Sequence, residues 1–105
     1  MKEKNRIIRK LFLGFIQIHI LHHCGVEEVN GVWLMQELEE HGYSVSPGTL
    51  YPLLQRMEKD GLLSRQNRVV RGKTSKFYRI TPLGRSVLAE SVEKAKELFH
   101  EIAQE

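Results

Sequence analysis

One short stretch does most to limit the folds open to this chain. Leu50, Leu53, Leu54 and Met57 recur at i, i+3, i+4 and i+7 between a Ser46-Pro47 start and a Gly61 stop. That spacing predicts a helix running to about Asp60 with one buried stripe. A serine ahead of a helix can accept orphan amide bonds, and a proline at the first helical position has none to lose, so Ser46-Pro47 is expected to cap it. Burial of the stripe leaves Gly48, Thr49, Tyr51, Gln55, Arg56 and Lys59 for the outer side. Pro52 lies inside the helix and removes a backbone bond to the region of Gly48, which predicts a bent or partly irregular first turn.

The flanking segments follow from the same rules. Residues from about Lys4 to His23 place Ile7, Ile8, Leu11, Phe12, Phe15, Ile16, Ile18 and Leu21 almost all round a helix, so that helix is buried on several sides. Gly25 is expected to end it, and Val26 to Gly31 read as a loop. A second helix is predicted from about Val32 to His41, with Val32, Leu34 or Met35, and Leu38 as its apolar stripe and Gly42 as its stop. Trp33 is expected to pack. After Gly61 come two strands, Leu62 to about Val69 and Ser75 to Ile80, joined by Arg71-Gly72-Lys73, where Gly72 can take positive φ. In the second strand, alternation lets one of Phe77 and Tyr78 face the core. Thr81-Pro82 repeats the capping signal and opens a last helix to about Ala103.

Helix, helix, turn, helix, hairpin, helix is the order of a winged helix-turn-helix with a helix appended. The fold class expected is therefore mainly α with a small two-stranded antiparallel wing, divided into residues 1–81 as the winged unit and 82–105 as a C-terminal dimerisation helix. Leu11 and Phe15 on the first helix, with Val92, Leu98, Phe99 and Ile102 on the last, are the expected homodimer contacts, because a chain of 105 residues has little else to cover them.

The formal net charge is only +3, but the charges come in blocks. Lys2, Lys4, Arg6, Arg9 and Lys10 crowd the start against Glu3 alone, and only acids occur between Cys24 and Gln55. Leu62 to Ile80 then carries Arg65, Arg68, Arg71, Lys73, Lys76 and Arg79 with no acid. Long blocks of one sign point to a polyanion meeting one part of the surface. In a helix-turn-helix, the second tight helix offers its outer face to the major groove of double-stranded DNA. Gln55 can pair bidentately with adenine and Arg56 with guanine. Thr49, Tyr51 and the amides near Ser46 suit phosphate oxygens, and the basic hairpin would lay Arg71 and Lys73 beside the backbone or minor groove. Ser46, Gly48, Thr49, Tyr51, Gln55, Arg56, Lys59, Arg71, Lys73 and Lys76 are the DNA-contact candidates.

The run Gly48-Thr49-Leu50-Tyr51-Pro52-Leu53-Leu54-Gln55-Arg56-Met57-Glu58-Lys59-Asp60-Gly61-Leu62-Leu63 resembles the signature of the PadR family of transcriptional regulators, and Phe77-Tyr78-Arg79-Ile80-Thr81-Pro82-Leu83-Gly84-Arg85 is similar to the end of that family's wing. The resemblance implies a dimeric repressor of the compact subclass, released from DNA by a small organic effector bound at the dimer interface near the first helix and Phe99. Val29-Asn30-Gly31-Val32-Trp33 departs from the family's commoner, shorter link.

Other chemistries are more weakly marked. His19, His22, His23 and Cys24 cluster near the end of the first helix and offer transition-metal ligands, the alternative being metal-sensing repression. From one helix turn only two or three can converge, so His41, His100 or another subunit would have to complete a site. The plainer role for these histidines is capping carbonyls at a helix end. No nucleophile with its base, phosphate-cradling loop or paired carboxylates is present, so no enzyme activity and no cofactor are expected. A winged-helix protein-interaction module would call for a neutral or acidic wing. The lone cysteine, the absence of a cleavage-site pattern, and the shortness of Leu11–Leu21 fit a cytoplasmic protein with no membrane span.

Overall fold

A computed structural model describes residues 2–104. The order is α1 (Lys2–Val26), β1 (Val29–Asn30), α2 (Gly31–Glu40), α3 (Pro47–Lys59), β2 (Leu63–Val70), β3 (Lys73–Ile80) and α4 (Pro82–Ala103). The chain is a winged helix with a long first and a long last helix. No helix among the described residues is long and apolar enough to cross a membrane.

The core joins α1, α2, α3 and the sheet, and α4 packs at its edge. Ile16, Ile20 and Cys24 follow one another at i+4 down α1, and with Leu21 they meet Leu34 and Leu38 of α2, Leu50, Leu54 and Met57 of α3, and Leu63, Tyr78 and Ile80 of the wing base. Burying each such side chain stabilises the fold by about 1.5–3 kcal/mol. The stripe on α3 is narrower than its spacing predicts, because Leu53 is only partly buried at the edge of the cluster. On α2 the stripe is Leu34 and Leu38, and Val32 is exposed.

The sheet corrects the expected two-stranded wing. Its three antiparallel strands run in the order β1-β3-β2, with Val29 opposite Tyr78 and Asn30 opposite Phe77. The segment expected as a loop thus adds an edge strand, and Gly25 does not end α1, which continues to Val26. Asn30 then caps α2, its side-chain oxygen accepting from the Trp33 amide at 2.9 Å. A run of two paired residues is too short for period-two alternation to reveal.

Pro52 leaves α3 an unbroken helix. The bond it removes lies near the exposed helix start, where water can satisfy the Gly48 carbonyl. Ser46 precedes Pro47 as expected but caps nothing with its side chain; its hydroxyl lies 3.3 Å from Thr49 Oγ1. Thr81 behaves as expected, accepting from the Gly84 amide at 3.0 Å while its hydroxyl donates to the Gly61 carbonyl. At Gly84 a Cβ would collide with the Leu62 carbonyl, so α4 starts tightly against the base of the wing. The first half of α4 is also partly covered, Val87 and Leu88 packing against the core, whereas Leu98, Phe99 and Ile102 beyond it are exposed.

Candidate nucleic-acid interface

The exposed face of α3 carries Gly48, Thr49, Pro52, Gln55, Arg56 and Lys59, residues that recur at three- and four-residue steps. Ser46 and five of the six candidates read for the outer side of this helix are accordingly at the surface; Tyr51 is half-buried. Among the described residues no side chain caps the start of α3; the Thr49 and Leu50 amides bond to the Ser46 carbonyl and Pro47 has no N–H, which leaves the Gly48 amide for an anion at this helix end.

The wing stands beside this helix. Its register pairs Arg65 with Tyr78, Asn67 with Lys76 and Val69 with Thr74, and residues directly opposite in an antiparallel pair share a face. Tyr78 is buried at 1% exposure, so Lys76 and Thr74 lie on the face of β3 that looks toward the core and α3. Between that face, α3 and the start of α2 lies a cleft of about 360 Å³ edged by Tyr51, Gln55, Thr74 and Lys76. Three of the expected contact residues therefore share one concavity. Arg56 and Lys59 stand outside it, on the last turn of α3.

At the wing tip, Arg71 and Gly72 are the central residues of a two-residue hairpin, with φ of 53° and 77°. Positive φ at both positions is a type I′ arrangement, which favours Asn-Gly. The glycine fits its place. An arginine in the left-handed region is costly, so the residue is not chosen for the turn.

Ion pairs divide the wing cations into two sets. Arg68 lies 2.5 Å and Arg79 3.9 Å from Glu28, whose side chain is only 10% exposed, and Arg65 lies 3.7 Å from Glu58. Arg68 also lies over the Phe77 ring, 5.7 Å from its centre. Among the described residues no carboxylate approaches Arg71, Lys73 or Lys76 within ion-pair distance. Three of the six wing cations are thus neutralised, Arg68 and Arg79 on the outer face and Arg65 on the face it shares with Tyr78, while Arg71 and Lys73 near the tip and Lys76 on the inner face have no carboxylate partner among the described residues. Sequence reasoning missed Glu28, because an acid forty and fifty-one residues from its two partners carries no sign of the pairing.

The histidine cluster is rearranged. Cys24 is in the core, where burial pushes its thiol up to about 12, and it takes no part. His22 is exposed and His100 lies far along α4 beside Gln104, while His41 joins His19 and His23. Burial and neighbouring histidines hold His19 below the usual imidazole range, and burial does the same to His23.

The family model for the PadR-like transcriptional regulators matches residues 20–90, more than half of the chain. This chain belongs to that family. It is 53% identical over 95 residues to the transcriptional regulator Rv3488 of Mycobacterium tuberculosis, covering 90% of this chain and 89% of that one. Its fold is similar to the crystal structure of a PadR family regulator from Eggerthella lenta, with a TM-score of 0.83 and 28% identity over 98% of this chain and 91% of the other. A PadR-like regulator from Bacillus cereus gives a TM-score of 0.82 and 31% identity over 90% and 94%. The chain is a transcriptional regulator of the PadR family.

Proposed function

We propose that this regulator is a homodimeric, sequence-specific DNA-binding repressor. The observation that carries this reading is that Lys76, in the cleft beside Gln55 of α3, and Arg71 and Lys73 at the wing tip have no carboxylate partner among the described residues, while the other wing cations are held by carboxylates. Cations without partners are free to replace counterions on phosphates. Gln55 and Arg56 on α3 are the base-reading residues; Ser46, Gly48, Thr49, Tyr51 and Lys59 surround them as backbone contacts.

Residues 82–105 act as the dimerisation helix of a winged unit formed by 1–81. Leu11 and Phe15 on α1 and Leu98, Phe99 and Ile102 on α4 are exposed apolar side chains, and Phe15 and Leu98 line one groove between the two helices. Val92 contributes from its half-buried place on α4. A twofold pairing through these faces sets two recognition helices about 34 Å apart, one turn of B-DNA. A cleft of about 330 Å³ lined by Phe15, Ile18, Leu88 and Val92 provides apolar room for a small organic effector beside that interface.

The test is a titration of duplex DNA from upstream of the protein's own gene, followed by anisotropy at several salt concentrations. Lys73→Ala and Lys76→Ala should each lower affinity and flatten the salt slope by about one charge, while Gln55→Ala or Arg56→Ala costs about 1–3 kcal/mol on the cognate site and less on random DNA. Undiminished affinity and slope in the lysine variants would leave the wing a solvated hairpin and favour a protein-interaction module.

A further inference from the structure

Away from the α3 cleft, three imidazoles meet between α1 and α2. His19, His23 and His41 each offer a ring nitrogen within 4.8 Å of the others. His19 and His23 are one turn apart on α1, and Glu37 and His41 are one turn apart at the end of α2, so each helix turns a pair of donors toward the other. The Glu37 carboxylate lies 3.0 Å from His41 Nε2 and 3.5 Å from His23 Nε2. His19 packs against the His41 ring at 4.8 Å between centres and against Tyr43 at 5.4 Å.

Two features go beyond a helix-capping role for these histidines. The Nε2 of His23 is buried and has no hydrogen-bond partner, since its approach to Glu37 lacks bonding geometry. Such an orphan destabilises the chain unless another ligand takes its lone pair or proton. Gathering three imidazoles within 4.8 Å of one another is also unfavourable if they are charged, whereas a metal ion takes all three in their neutral form.

We infer that His19, His23, His41 and Glu37 form a binding site for a divalent transition-metal ion of the zinc class. Three imidazoles and one carboxylate from two rigid helices match the nitrogen-and-oxygen, four-coordinate preference of zinc. Tetrahedral zinc with nitrogen ligands at 2.0–2.1 Å sets them about 3.3 Å apart, so side-chain rotation must draw the donors together from their present spacing. Magnesium and calcium, which seek oxygen ligands, are poorly served. With Cys24 in the core, thiolate-demanding ions gain nothing here.

The ion would tie α1, which bears the exposed Leu11 and Phe15, to the end of α2 just before the turn into α3. Occupancy therefore sets how the helix-turn-helix sits on the long helices. That regulatory use rests on the DNA-binding reading, whereas metal binding does not.

The experiment is zinc titration calorimetry on tag-free, chelator-treated full chain, repeated on His23→Gln, His41→Gln and His22→Gln, with circular dichroism confirming that each is folded. The wild type and His22→Gln should bind one zinc per chain at micromolar concentration or better. His23→Gln and His41→Gln should lose roughly 100-fold or more, beyond the 10–100-fold cost of a merely supporting contact. Binding that is absent from the wild type, or equal in all four proteins, overturns the site. Saturating zinc should also shift the affinity for upstream DNA in the wild type and not in His41→Gln; unchanged affinity in a zinc-loaded protein overturns the regulatory role. A chain that binds zinc but no DNA refutes the DNA-binding reading alone.

Discussion

The ring of Tyr51 occupies the space where a side chain on Gly31 would begin. A Cβ at Gly31 would lie 2.5 Å from Cε1 of that ring and 2.8 Å from its hydroxyl. The first residue of α2 and the middle of α3 are thus in direct contact, with no intervening side chain. Gly31 is needed for this approach and not for an unusual φ. Gly31→Ala should cost about 1–3 kcal/mol of folding stability by overpacking, read from urea denaturation, and should displace Tyr51 from the α3 cleft. Tyr51→Phe keeps the ring and removes only the hydroxyl. If the hydroxyl meets a phosphate, this variant should unfold like the wild type yet bind DNA less tightly.

Arg71 supplies a second test because strain and charge act on it in opposite directions. Asn at a left-handed hairpin position is less costly than arginine, so Arg71→Asn should raise stability by up to about 1 kcal/mol. The same change removes an unpaired cation from the wing tip and should weaken DNA binding at low salt more than at high salt. A variant that is more stable and binds DNA as before would separate the arginine from any phosphate.

Glu28 and Lys76 lie on opposite faces of the wing, and their substitutions should therefore have opposite signatures. Glu28→Gln removes the partner of Arg68 and Arg79, whose guanidinium groups are largely solvated, so a stability loss of about 1 kcal/mol is expected in thermal denaturation. If only the inner face meets DNA, the salt slope stays unchanged. Lys76→Ala should leave thermal stability nearly unaltered and reduce that slope. A steeper slope in Glu28→Gln would place the outer face on the DNA as well.

Much of this arrangement is legible in the residues alone, for identifiable reasons. The α3 stripe, the Thr81-Pro82 cap and the Arg71-Gly72 turn are local signals, each complete within a few residues, and each names its element correctly. What escaped has its cause at long range. β1 exists because Val29 and Asn30 pair with residues nearly fifty positions later, and Glu28 is an ion-pair partner only once that pairing forms. The Ser46-Pro47 pattern marked the start of α3 correctly, yet the hydroxyl donates to Thr49 Oγ1 instead of accepting from a first-turn amide, a choice between two nearby partners that spacing cannot decide. His41 lay outside the run His19–Cys24 in sequence and inside it in space.

The apolar ends of α1 and α4 bear on assembly. Phe99 is 72% exposed and Leu98 51% exposed in the single chain, so replacing them with aspartate disturbs no core contact. Leu98→Asp with Phe99→Asp should convert a dimer to a folded monomer, followed by sedimentation velocity together with circular dichroism. Loss of helical signal along with the dimer would mean that α4 depends on its partner for structure. A dimer that survives both changes would move the interface elsewhere.

Cys24 reports on the fold from inside. It is 1% exposed on the face of α1 that carries Ile16 and Ile20, and burial raises its thiol from the usual 9.0 to about 12. The thiolate is the reactive form, so at neutral pH both the scarcity of thiolate and the lack of access protect it in the folded chain. For a raised thiol pKa the sign is definite: near pH 7 the group is protonated whether the chain is folded or not, and stability declines only as pH rises past about 9, where the unfolded chain begins to ionise first. A disulfide reagent at pH 7.5 should therefore label native protein at a rate set by opening of α1, many-fold slower than in denaturant. An ion bridging α1 to α2 should slow the labelling further, and His41→Gln should abolish that zinc effect while leaving the metal-free rate nearly unchanged. Fast labelling of the native protein would mean that α1 peels readily from α2 and α3, which is incompatible with its place at the centre of the core.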